Sequence, residues 1–393
     1  MRIAFVNHSR RKVGGAEVYL DSVIPAMARA GHQIACLHED DSEYAEREPI
    51  FVPDGTPTWS TGALGRQQAL EQLKLWCPDV CFGHGLHDTD LEAGVVALGN
   101  SALYVHNYYG TCISGTKTNN TSSPTPCERR FGAACLAQYF PRHCGGGSPF
   151  TMWQLYRLQS RRLDLMRKYR VLIANSDHIS RELARHDLQS ERVYYPLVFP
   201  DEIQPSSRTL DSELRLVFAA RMTSLKGGQY LLAALPEVQQ RLQKKLHITF
   251  AGDGPDRPAW EQTASSIRSE QISIEFPGWL GAVGLRESLA AAHLLVYPSI
   301  WPEPFGLSGL EAGLYGVPSV AFNVGGIPEW LNDGVNGHLA AVGTQPLTEA
   351  IIRALNDPQH YAELRAGACR RAREYTMESH LARLMPILER CSG

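Results

Sequence analysis

Short apolar runs alternate along the chain with stretches of helical period. Arg2–Asn7 reads as a strand, and Gly14-Gly15 interrupts the pattern before a helical repeat over Ala16–Arg29. Gly31 is placed to end that helix, and Gln33–Leu37 returns as a strand. Val80–Gly83, Ala102–His106 and Val171–Asn175 read as further strands. Such short β-rich runs separated by helices predict a parallel sheet covered on both faces.

Residues 196–213 break the rhythm, because Pro196, Pro200 and Pro205 sit in polar sequence without a period. The alternation then restarts. Arg215–Ala219, His247–Ala251, Ile272–Phe276, Leu294–Pro298 and Ser319–Asn323 read as strands, with a helix over Gln229–Gln243. The predicted fold class is therefore α/β, with two doubly wound Rossmann-like domains facing each other across a cleft. Residues 1–200 form the N-terminal domain and 201–375 the C-terminal one. Within 376–393, the amphipathic Met377–Glu389 segment is expected to be a helix packing across the domains. A length of 393 residues suits two such domains. In sheets of this kind ligands bind beyond the carboxyl ends of the strands, which says where chemistry should be sought.

Composition narrows the function classes. A formal net charge of −3 gives no global attraction to nucleic acid or anionic lipid, so any anion site must be local. No apolar run reaches the roughly twenty residues a membrane helix needs. The opening strand is followed at once by polar His8, Arg10, Arg11 and Lys12, unlike a signal peptide, and a cytoplasmic location is expected. Residues 151–170 mix Trp153, Tyr156 and Leu158 with Arg157, Arg161, Arg162, Arg167, Lys168 and Arg170. That composition fits a solvated helix face, or else a peripheral contact with a membrane.

The densest chemical signal is PSIWPEPFGLSGLEAGLYG at 298–316. Glu303 lies in a loop after a strand, and Glu311 in the opening turns of a helix expected to start near Leu307. Between them, Pro304, Phe305, Gly306 and Leu307 bring backbone N–H groups to a helix N-terminus, where unpaired donors and partial positive charge suit a diphosphate. The two carboxylates then flank it as acceptors for sugar and ribose hydroxyls. Taken singly, each glutamate would read as a charge complementing the helix dipole.

This string, continued by Gly-Val-Pro and Gly325-Gly326, resembles the donor-binding signature of glycosyltransferase family four, with its two glutamates seven residues apart. The resemblance extends in weaker form from Gly14-Gly15 to the last helix. It implies a retaining enzyme of the GT-B fold acting on a nucleotide-diphosphate sugar, UDP- or GDP-linked. It implies that Glu303 contacts donor-sugar hydroxyls, Glu311 the ribose, and amides around Phe305–Leu307 the diphosphate. The acceptor would be a saccharide or a lipid-linked glycan. No catalytic metal and no cofactor are expected.

Other positions gain meaning beside it. Arg221 and Lys226 follow the Arg215–Ala219 strand, where two cations could neutralise a leaving diphosphate, though solvated loop charges have the same look. Gly252 and Gly254 follow the next strand. Gly-x-Gly alone marks little more than a turn, and position 257 is Arg where a nicotinamide fingerprint would need Gly. In the family this turn lies near the nucleotide, and Gly278-Trp279 resembles the region holding the base. Gly14 and Gly15 form an ordinary strand–helix turn or a close backbone approach to a ligand, and the family places this loop between donor phosphate and acceptor. His106 ends the ALYVH strand, where the family often has His-Asp facing the reacting sugar; here the pair is His106-Asn107. A lone histidine is also a common structural residue. Asn175 and Ser176, after VLIA, match another acceptor-side position.

Nine cysteines are present, and Cys112, Cys127, Cys135 and Cys144 fall within a segment, 108–150, expected to be an insertion on the acceptor side. Their spacings lack the close pairs of common zinc modules, leaving reduced thiols, a structural metal or disulfides. Asp88-Thr89-Asp90 mimics a metal-binding Asp-x-Asp motif, but it precedes a helical run over Leu91–Leu98, so Asp90 reads as a helix cap. Two rivals to the transferase reading share its residues: a nucleotide-sugar epimerase or phosphorylase on the same fold, and a non-catalytic nucleotide-binding protein.

Overall fold

The computed structural model describes residues 1–121, 124–199 and 208–392. The chain divides into two compact units. Met1–Thr121, Cys127–Val198 and Thr376–Gly393 form the first, and Phe199–Tyr375 makes up nearly all of the second. Residues 200–207 of the expected linker lie outside the described residues.

The first unit is built on a seven-stranded parallel sheet. Its strands run, edge to edge, Thr58–Ser60, Gln33–His38, Arg2–Asn7, Val80–Gly83, Ser101–Val105, Val171–Ala174 and Glu191–Arg192. Val80–Gly83 and Ser101–Val105 are buried at every position, which is why their sequences carry no alternation. The sheet winds outward in both directions from Arg2–Asn7, so the carboxyl ends of Arg2–Asn7 and Val80–Gly83 flank the crevice where such sheets bind ligands. The second unit repeats this plan with six parallel strands: Ile272–Gly278, Lys245–Ala251, Glu213–Ala219, Leu294–Tyr297, Ser319–Phe322 and Gly337–Ala340. Its reversal point lies between Glu213–Ala219 and Leu294–Tyr297.

The Met377–Glu389 helix belongs to the first unit. Thr376 caps it by accepting from the Ser379 amide, and His380 is clamped between Tyr19 Oη at 2.9 Å and the Tyr194 carbonyl at 2.7 Å. The helix expected over Leu91–Leu98 runs from Thr89 to Val96, so its cap is Asp88, two residues before the Asp90 that the sequence suggested. Asp88 accepts from the amides of Asp90 and Leu91 at 2.8 and 3.2 Å, while Asp90 pairs with Arg66 and Arg161. The basic segment forms a helix over Pro149–Met166. Arg157, Arg161, Arg167, Lys168 and Arg170 are exposed, but Arg162 is not part of a solvated face. It is buried, donates to the carbonyls of Leu86 and His87, and lies over the Tyr109 ring.

Candidate active site

In the second unit the two strands at the reversal point send out the loops that carry the candidate residues. Arg221–Gly227 leaves one strand and Pro298–Leu307 the other. Backbone bonds lace them together: the amides of Ile300 and Trp301 both donate to the Leu225 carbonyl, at 2.9 and 3.0 Å. Gly227 has φ +75°, and a Cβ there would stand 1.8 Å from the Pro298 carbonyl oxygen, so only glycine permits the contact.

This lacing brings Lys226 Nζ to 2.6 Å from Glu303 Oε1, an ion pair in which Glu303 is only 4% exposed. Ser299 Oγ donates to the same oxygen at 2.8 Å. The Tyr297 hydroxyl also bonds Glu303, and burial together with that negative charge holds its phenol well above the usual range. The Lys226 ammonium sits 4.5 Å from the centre of the Trp301 ring. Glu303 is therefore held in one orientation by three donors, a pre-organised acceptor rather than a free surface carboxylate.

Pro304–Leu307 follows directly. Phe305 is buried, and its carbonyl accepts from the Trp330 indole at 2.8 Å. Gly306 takes φ +88°, and Leu307 precedes a short helix over Ser308–Leu314. Glu311, in that helix, keeps some accessible surface although protein surrounds its carboxyl densely, and burial raises its pKa. A group both crowded and reachable by water lines a crevice. Gly325 and Gly326 close the back of the loop: a Cβ on Gly325 would stand 2.4 Å from the Glu303 carbonyl oxygen, and one on Gly326 2.5 Å from that of Pro304.

The neighbouring strand ends converge on the same edge. Gly252 and Gly254 pack on the backbone of Ala220 and Met222, where added Cβ atoms would stand 2.1 and 2.3 Å from the carbonyl oxygens. The Gly252 amide donates to Gly278, and Trp279 beyond it is 71% exposed. Arg221 is exposed and, among the described residues, makes no ion pair, unlike Lys226.

The remaining candidates lie in the first unit. Gly14 and Gly15 open the Gly15–Arg29 helix, and the Gly14 amide donates to Glu17 Oε2 at 2.8 Å. Glu17 is buried and also accepts from Asn7, so the carboxylate fixes this loop. His106 has both ring nitrogens engaged, Nδ1 with the Tyr195 hydroxyl and Nε2 with His84 Nδ1, and burial lowers its pKa to about 3. It is a neutral imidazole inside a polar chain, with neither nitrogen spare for a sugar hydroxyl in this arrangement. Asn107 accepts from the Tyr109 amide. Asn175 and Ser176 are fully buried; Ser176 Oγ caps the Asp177–Ala184 helix, and the Asn175 side chain lies against the Tyr195 hydroxyl.

All nine cysteines are free thiols. Burial raises the thiols of Cys135 and Cys144, the latter to about 11. Among the described residues no group of three or more His, Cys, Asp or Glu side chains is placed to hold a metal ion.

Residues 13–195 match the family model described as Glycosyltransferase Family 4, and residues 213–357 that described as Glycosyl transferases group 1. The two matches divide where the two sheets divide. The chain belongs to the family-four, group 1 glycosyltransferases. Among curated relatives, the D-inositol 3-phosphate glycosyltransferase of Streptomyces scabiei is 30% identical over 234 residues, covering 54% of this chain and 52% of that protein. The alpha-maltose-1-phosphate synthase of Mycolicibacterium smegmatis is 30% identical over 234 residues, covering 56% and 58%. The chain thus spans little more than half the length of these relatives. A solved structure of Anabaena Alr3699/HepE in complex with UDP superposes with a TM-score of 0.68 at 17% identity, covering 99% of this chain and 100% of that one. At that identity the likeness shows the fold, and the fold is GT-B. For a family-four glycosyltransferase, the group 1 match contains Lys226, Ser299, Glu303 and Glu311, whereas Glu17, His84, His106 and Arg162 lie in the other match.

Proposed function

We propose that this chain is a retaining hexosyltransferase that moves a sugar from a UDP- or GDP-linked donor to a hydroxyl of a saccharide or lipid-linked glycan, in polysaccharide biosynthesis on the cytoplasmic side. The observation that carries this reading is the Lys226–Glu303 pair, locked by Ser299, Tyr297 and Trp301 at the reversal point of the second sheet. A carboxylate already fixed by protein donors is suited to orienting sugar hydroxyls. Lys226 beside it and Arg221, which makes no ion pair among the described residues, supply positive charge for a diphosphate. Glu311 serves as ribose acceptor, and backbone N–H groups at Phe305–Leu307 meet the diphosphate and sugar. No metal takes part.

The reaction proceeds by front-face displacement. The bond from the anomeric carbon to the phosphate oxygen breaks, and the acceptor oxygen bonds to the same face. The acceptor's proton passes to the departing phosphate oxygen, while Arg221 and Lys226 stabilise the diphosphate charge. Glu303 is not a nucleophile in this scheme, since its Oε1 already receives Lys226 and Ser299.

Thermal melting with UDP, GDP, ADP and dTDP, alone and as nucleotide sugars, tests the reading. A ligand at a hundred times its dissociation constant adds about 2.7 kcal/mol of stability. Selective stabilisation by one nucleotide, lost in Arg221→Ala and Glu311→Ala, is the expected result. No shift with any nucleotide overturns it.

A further inference from the structure

The second unit carries a chain of polar side chains that the transfer reading leaves unused. Asp333, just before the turn into the last strand, accepts from the Leu339 amide at 3.0 Å and stands 2.9 Å from His338 Nδ1. The other nitrogen of that ring, His338 Nε2, lies 3.0 Å from His360 Nε2. His338 is 4% exposed, on the Gly337–Ala340 edge strand, and His360 is partly exposed in the first turn of the Pro358–Ala372 helix. The group lies toward the amino end of its strand, whereas Lys226 and Glu303 sit on loops beyond the carboxyl ends of theirs.

The bonding partners fix where the protons are. Burial would raise the Asp333 carboxyl, but the bonds from His338 and the Leu339 amide outweigh it and hold its pKa below the ordinary 3.8. An ionised carboxylate only accepts, so His338 Nδ1 carries the proton. Burial also lowers the pKa of His338, against the pull of Asp333, and keeps the ring neutral. Nε2 therefore presents a bare lone pair toward His360. A neutral imidazole whose other N–H is tied to a carboxylate is the form in which histidine ligates metals. His360 can take either tautomer. With Nε2–H it donates to His338, and with the proton on Nδ1 it turns a second lone pair to the same space.

We propose that His338 Nε2 and His360 Nε2 form a binding site for a divalent transition-metal ion. Metal–imidazole bonds of about 2.0–2.1 Å across this 3.0 Å separation subtend an angle of about 95° at the metal. That suits neighbouring positions of a square or octahedral shell, whereas a tetrahedral ion would need the nitrogens about 3.3 Å apart. Ni(II) and Cu(II) are therefore favoured over Zn(II), and Mg(II), which takes oxygen ligands, is disfavoured. Among the described residues no third His, Cys, Asp or Glu completes a ligand set, and Asp333 is engaged with His338 and Leu339. Water fills the other positions, reached past the partly exposed His360. Binding moves the His360 proton from Nε2 to Nδ1 through solvent and releases none. Asp333 and Asp357, which caps the His360 amide, outnumber Arg353, 3.8 Å from Asp333, so local charge favours a cation. The ion ties the edge strand to the helix and takes no part in the sugar transfer.

Calorimetric titration of the untagged full chain with Ni(II), and with Mg(II) as control, tests the site. A single equivalent of Ni(II) and no Mg(II) is expected to bind. Thiols are the competing ligands, and two variants separate them from the histidines. His360→Gln, which keeps a polar partner for His338, is expected to weaken Ni(II) binding by about tenfold or more, and Asp333→Asn by about tenfold through loss of the carboxylate behind the imidazole. Melting curves without metal check that both variants fold, and Ni(II) should raise the melting temperature of the wild type but not of His360→Gln. In spectra of the ring nitrogens of the wild type, Ni(II) should broaden His338 and His360 ahead of the other histidines. Absence of Ni(II) binding by the wild type overturns the site. So does an affinity that His360→Gln leaves unchanged, or broadening that spares both rings, since either places the ion on other ligands.

Discussion

Lys226 Nζ lies 2.6 Å from Glu303 Oε1, although 76 residues separate the two in the chain. The pair is mostly buried, with side-chain exposures of 19% and 5%. Removing one member of such a pair strands the other's charge, which costs about 3–5 kcal/mol. Lys226→Met alone is therefore expected to destabilise the protein by about 3 kcal/mol, the lower end because Lys226 retains some water. Lys226→Met combined with Glu303→Gln should recover much of that loss without restoring nucleotide-sugar turnover. Urea melts of the two single variants and the double variant, read as a double-mutant cycle, measure the coupling. Additive losses would show that the pair contributes nothing as a pair.

Gly325 makes a second, purely steric prediction. Its φ of +60° is costly for any other residue, and a Cβ would stand 2.5 Å from the Glu303 amide nitrogen as well as close to its carbonyl. The obstructing atoms are backbone and cannot swing aside. Gly325→Ala should displace the loop that aims Glu303, at a cost of about 1–3 kcal/mol in strain alone. Melting temperature and nucleotide affinity should fall together. A variant that melts like the wild type and binds nucleotide equally well would show that the loop does not depend on this contact.

What the sequence disclosed followed the range of the interactions. The apolar strand runs needed only local pattern, so Val80–Gly83 and Val171–Ala174 were legible, and with them the α/β class. Glu191–Arg192 and Thr58–Ser60 escaped notice because edge strands of two or three residues have no period to read. Arg221, Lys226, Glu303 and Glu311 could be singled out from their places after strands and from the likeness of their surrounding strings to a known family. Tyr297, Ser299 and Trp301, which fix Glu303, look like ordinary strand and loop residues until the chain closes on itself. Arg162 was hidden more deeply. It sits in a run of surface arginines, and its burial follows from a helix face meeting the carbonyls of Leu86 and His87. His106 stood out as a strand-end histidine, yet its engagement by Tyr195 and His84 comes from partners 89 and 22 residues away.

That engagement yields a third prediction. Tyr195→Phe deletes the hydroxyl at His106 Nδ1 and leaves a buried ring nitrogen without its partner, which should cost about 1–3 kcal/mol. The Tyr195 ring also meets Tyr19 edge-on and Tyr104 at a tilt, and phenylalanine preserves those contacts, so the loss reports the hydroxyl's bonds to His106 and to the Asn175 side chain. Nitrogen-15 shifts of the His106 ring report the tautomer directly. Unchanged stability and an unchanged tautomer would show that the bond does not hold the imidazole.

Glu92 supplies a pH-dependent prediction whose sign runs against the usual carboxylate. Burial pushes its pKa up from 4.5 to about 7, opposed by the nearby Arg162 and the Tyr169 hydroxyl and reinforced by Glu39. Between those values the folded protein keeps a proton that the unfolded chain has released, so this group's contribution is complete below about pH 4.5 and is lost as pH rises to about 7. At 1.36 kcal/mol per pKa unit the swing is about 3 kcal/mol. Histidines act in the opposite sense. Burial lowers His106 to about 3 and His380 to about 4, so each takes up a proton more readily when unfolded, and stability rises with pH toward 6.5. Wild-type stability alone therefore mixes the two slopes. The difference between wild type and Glu92→Gln cancels the histidines and should decline from pH 4.5 to 7, then level off. Urea unfolding of both proteins across that window measures it, and a difference that stays flat would place the Glu92 carboxyl in an ordinary, solvated environment.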